Sequence, residues 1–89
     1  LEKVMITTVG EPSYSKHALF KIQLEYEFDI PRYTLYKKHV RVTLFRKRQI
    51  IEWHKVDAIF VGCLRRIDRF EEAKIDAVKL ANFLETQYI

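Results

Sequence analysis

The chain has 89 residues, carries 16 Lys and Arg against 12 Asp and Glu, and is 48% apolar. That length fits one small domain, residues 1–89, and the apolar share is enough for a core, which argues against wholesale disorder. A single cysteine, Cys63, excludes an internal disulfide and a multi-cysteine zinc site, and no apolar run approaches the roughly 18 residues of a membrane helix.

Leu1-Glu2-Lys3-Val4 shows neither the basic start nor the apolar stretch of a signal peptide, so an intracellular protein, cytoplasmic or nuclear, is expected. A start at Leu1 rather than methionine leaves room for a longer parent chain. Val4 to Val9 is β-branched and reads as a short strand, closed by a turn at Gly10-Glu11-Pro12-Ser13. Phe20, Ile22, Leu24, Tyr26 and Phe28 alternate with Lys21, Gln23, Glu25 and Glu27, the clearest period-two pattern in the chain. Asp29-Ile30-Pro31-Arg32 should end that strand. Tyr33 to Tyr36 starts another, interrupted at Lys37-Lys38. Residues 39–45 and 50–56 then fit a hairpin centred on Lys47-Arg48, with Val42 opposite Trp53 and Leu44 opposite Ile51 on the buried face, and Arg41 opposite His54 on the other. A helix over Arg48 to Phe60 fits the periodicity as well. Ala58 to Leu64 is a continuous apolar run suited to a buried strand.

The last segment reads as a helix. Asp68 can cap it with Glu71 three residues on, and Phe70, Ala73, Ala77, Leu80, Ala81, Leu84 and Tyr88 form one stripe. Ala73, Ala77 and Ala81 lie four apart and let the axis come close to a sheet. The expected fold is therefore α+β: an antiparallel sheet of four to five strands packed by one C-terminal amphipathic helix.

Charge is segregated. Residues 1–30 carry a net −2, residues 31–69 a net +8 and residues 70–89 a net −2. A cationic middle invites a polyanionic partner. The candidate phosphate contacts are Lys37, Lys38, Arg41, Arg46, Lys47, Arg48, Arg65 and Arg66, with nucleic acid as the first expectation. Tyr33 and Tyr36 are placed to stack on bases or to pack at a strand edge. Two alternatives stand beside this: a phosphoinositide or membrane-surface module, and a protein-interaction or dimerisation domain using Ile75 and Phe83, which with Val78 lie outside the helix stripe.

No catalytic constellation is specific, so a binding module without catalysis, cofactor or metal is expected. His17, His39 and His54 lack a shared metal-ligand spacing and read as surface imidazoles. Cys63 sits in an apolar run and reads as a buried small hydrophobe. Glu25 and Glu27 are a carboxylate pair of the kind glycosidases use, but read more simply as a solvated strand face.

His17 to Leu24, with Arg46-Lys47-Arg48 and Trp53-His54, loosely resembles the early strands of PX domains, and strands ending in an amphipathic helix look a little like a truncated PH domain. The chain after Trp53 is too short for the PX fold and lacks a proline-rich lipid-contacting loop, so neither family is claimed.

Overall fold

The computed structural model describes residues 6–45, 47–61 and 68–88. Four strands, β1 (Ile6–Tyr14), β2 (Phe20–Glu27), β3 (Ile30–Val42) and β4 (Gln49–Phe60), form one antiparallel sheet in the order β1-β2-β3-β4. The helix α1 (Asp68–Glu85) packs on one face of it. This is the α+β architecture expected from the sequence, with four strands.

The alternation of β2 decides which face is buried. Phe20 and Ile22 point to α1 and meet Tyr33 and Leu35 of β3, Val61, and Ala73, Ala77 and Ala81 of the helix. The three alanines present almost no side chain, so the helix lies close against the sheet. Phe70, Leu80 and Leu84 extend the contact, and so does Val78, which falls outside the expected stripe.

Three local expectations change. Residues 10–13 do not form a turn: β1 runs through them, and its pairing with β2 slips between Val9 and Ser13, a bulge opening at Gly10 with φ of 73°. β3 starts at Ile30, with Pro31 in the ladder opposite Tyr26, because the turn is made one step earlier. Phe28 and Asp29 both take positive φ, 50° and 67°, the pair that a two-residue hairpin loop needs. Residues 58–60 are the end of β4, not a separate strand, and Val61 follows it in the core; residues 62–64 of that expected strand, with Cys63, lie outside the described residues.

The β3–β4 hairpin forms in a register shifted by four: Val42 pairs with Gln49, Val40 with Ile51 and Lys38 with Trp53. Lys37-Lys38 does not interrupt β3. An even shift keeps every side chain on its expected side of the ribbon. Neither side of the ribbon is buried there, however. Val40, Val42, Ile51 and Trp53 lie on the sheet face away from α1, while His39, Arg41 and His54 lie on the α1 side, past the reach of the helix.

Candidate functional site

The pairing of β2 with β3 ends at Phe20 and Lys37. Beyond it, apart from the Lys38 amide donating to the Leu19 carbonyl at 2.8 Å, residues 38–53 pair only with each other and form a two-stranded arm. Five residues of β3 at about 3.4 Å each carry it roughly 17 Å past the sheet. Its loop closes with the Thr43 amide donating to the Arg48 carbonyl at 3.1 Å and the Lys47 amide donating to the Thr43 carbonyl at 3.0 Å. Lys47 takes φ of 49°, the left-handed residue of the loop. The tip thus takes in Leu44, Phe45 and Lys47 rather than centring on Lys47-Arg48, and it exposes two large apolar side chains: Leu44 is 91% and Phe45 99% exposed.

The cations gather on this arm but not on one face. Lys37 lies on the α1 side, its Nζ 4.4 Å from the centre of the Tyr88 ring. Arg41 also lies on that side, 3.9 Å from Glu52. Lys38 is on the opposite side, beside Trp53 in the ladder. Lys47 and Arg48 are exposed at the loop. Among the described residues, no carboxylate lies within ion-pair distance of Lys37, Lys38, Lys47, Arg48 or Lys55. Arg46, Arg65 and Arg66 lie outside the described residues. Ile75 and Phe83 are exposed on the outer side of α1, away from the arm.

The sheet face away from α1 holds a polar network where a solvated strand face was expected. Glu25 is 3% and Arg32 4% exposed. The Arg32 guanidinium donates to Glu27, to Glu25 at 3.4 Å and to the Thr34 hydroxyl at 3.1 Å; Thr34 donates to Glu25 at 2.8 Å, and the Tyr36 hydroxyl donates to Glu25. Burial first, then this hydrogen bond and the charge of Glu25, push the Tyr36 phenol up to about 12. Arg32 is therefore spent inside the protein and drops out of the cationic surface. Tyr36 and Trp53 each have the Lys21 Nζ 5.1 Å from the ring centre, and Trp53 also packs on Tyr14. Tyr33 is buried under α1. Of the two readings for these tyrosines, stacking on bases or packing within the sheet, both side chains take the packing one.

His39 and His54 stack face to face with ring centres 4.2 Å apart, and His54 lies 3.5 Å from Glu52. Among the described residues, no group of three His, Cys, Asp or Glu side chains is disposed to hold a metal ion. An open cleft of about 520 Å³ at Lys16, His17, Asn82, Glu85 and Thr86 surrounds a carboxylate already engaged by the β1–β2 turn. No helix among the described residues is long and apolar enough to cross a membrane.

Sequence reasoning missed the exposed pair Leu44 and Phe45. The signal was present, since moving the loop back to the four residues before Arg48 strands both at the tip. No protein-family model, no curated protein and no solved structure matches the chain.

Proposed function

We propose that the chain is a binding module rather than a catalyst, and that its β3–β4 arm engages a phosphate-rich polyanion. One observation carries the reading: residues 37–55 hold seven Lys and Arg against the single carboxylate of Glu52. Placed on a narrow projecting ribbon, those charges have little low-dielectric protein around them and few internal partners. They repel one another until an anion is brought in. Nucleic-acid backbone and lipid head groups offer the same phosphate chemistry to such a ribbon, and the experiments separate the two.

The test is a salt series. Binding of labelled mixed-sequence DNA, RNA and heparin is measured by fluorescence anisotropy between about 50 and 200 mM salt, where counterion release makes phosphate contacts salt-dependent. Affinity should fall steeply across that range. Lys47→Glu with Arg48→Glu, both at exposed positions, should weaken binding and lower the log–log salt slope by about 1 for each phosphate no longer neutralised. Binding that is flat with salt, or unchanged in the double variant, overturns the proposal.

A further inference from the structure

We infer that the tip of the β3–β4 arm inserts into an anionic lipid surface, with Leu44 and Phe45 as the inserting side chains and Lys38, Lys47 and Arg48 as head-group contacts. The inference rests on the polyanion-binding role proposed above and names its partner.

Leu44 and Phe45 sit far from the core, exposed to 91% and 99%. The loop does not need them: among its described residues the left-handed position is Lys47. Polar residues would close the same turn without exposing apolar surface. The apolar character also continues down one side of the arm. Val40, Val42 and Ile51 share the face away from α1, between 52% and 59% exposed. The other side carries His39, Arg41, Glu52 and His54. The arm is amphipathic, and no layer covers its apolar side.

The partner must satisfy both halves of this surface. A nucleic-acid backbone matches the cations but leaves Leu44 and Phe45 against water or phosphate. A lipid interface matches both, because phosphate and carboxylate head groups lie directly above acyl chains. Each Lys or Arg near an anionic leaflet is attracted to it, and long stems let the charged ends reach back to the head groups. Depth is limited by the backbone. Past Lys38 both edges of the ribbon carry amides and carbonyls with no strand beside them, and the hydrocarbon core has nothing to bond them. Side chains enter and the ribbon stays at the interface.

The test compares co-sedimentation with phosphatidylcholine–phosphatidylserine vesicles and with phosphatidylcholine vesicles, for the native chain and for Leu44→Ser/Phe45→Ser. Both side chains are surface groups, and unchanged circular dichroism confirms the fold. The native chain should bind the anionic vesicles. The double variant should bind them about a hundredfold more weakly, the loss expected for partly burying two large apolar side chains, with heparin binding unchanged. In a Phe45→Trp variant, emission added to that of Trp53 should shift to shorter wavelength on vesicles and be quenched by brominated acyl chains. Equal vesicle binding by the double variant overturns the inference. So does binding of heparin or DNA with no binding to the anionic vesicles, which leaves the polyanion role standing. Failure to bind any of them overturns both. Self-association without lipid that is abolished in the double variant also overturns it, by placing a second copy on the tip.

Discussion

Glu85, the last residue of α1, accepts the backbone amide proton of Leu19 at 3.1 Å, from a position 66 residues earlier. The same carboxylate accepts the His17 amide at 3.0 Å and the Ser15 hydroxyl, and Asn82 accepts the Lys16 amide at 2.8 Å. Two helix side chains thus hold the whole β1–β2 turn, including Ala18 at φ of 58°. They tie the end of α1 to the strand whose alternation builds the core.

Burial opposes ionisation of Glu85, but the Ser15, Leu19 and His17 donors outweigh it and hold the carboxyl below its ordinary value. A depressed carboxylate contributes stability that is present above its unfolded pKa, about 4.3, and lost as pH falls through the lower folded value. The urea midpoint of the native chain should therefore fall on acidification below about pH 4 more steeply than that of Glu85→Gln. The variant should already be less stable at pH 7, because its amide cannot accept all three hydrogen bonds as a carboxylate does. Equal acid slopes in the two proteins would remove Glu85 from this role.

Arg32 and Glu25 should behave as a unit. Removing one member of a buried pair leaves the other charge uncompensated, at a cost of about 3 kcal/mol or more. Arg32→Met should approach that loss by urea denaturation at neutral pH. Adding Glu25→Gln should recover part of it, since the stranded carboxylate is then gone. Additive losses would show that the two do not interact.

The Tyr36 phenol, pushed up to about 12, should titrate late, and the Tyr33 phenol is also raised, first by burial and then by the charge of Glu71. A raised acid keeps its folded-state contribution below the unfolded value near 10 and loses it as pH rises through the folded one. Absorbance at alkaline pH should show a tyrosinate step near pH 12 that Tyr36→Phe removes, leaving the contribution of Tyr33. If the variant keeps that step, the hydrogen bond to Glu25 is not its source.

Ala77 is wholly buried between α1 and the sheet, whereas Ile75 faces solvent. Ala77→Leu should cost about 1–3 kcal/mol by prying the helix off the sheet, and Ile75→Ala less than about 0.5 kcal/mol. Thermal midpoints of the two variants distinguish a close-approach stripe from an ordinary helix face.

The strand β2 and the helix α1 were legible because each repeats one period long enough to exclude the other. Tyr33 and the true extent of β3 were not, since Lys37-Lys38 looks like an interruption until the strand is seen leaving the sheet, where both sides are wet. The turn at Phe28-Asp29 carries none of the Asn-Gly chemistry that marks a two-residue loop. The buried state of Glu25 depended on Arg32 and Tyr36 arriving from the next strand, a pairing fixed only by register. The cationic arm was visible as composition. Its apolar tip was hidden by the habit of giving loops to polar residues, a rule proteins break most often where a surface has work to do.

Strand order β1-β2-β3-β4 also shapes how the molecule assembles. Each strand meets its neighbour in sequence, so the sheet can zip up hairpin by hairpin with short loop closures. Only α1 must travel back across the chain, and its arrival at Ser15 to Leu19 closes the one long loop. Until that docking the apolar side of β2 stays wet, so closing the core requires the helix.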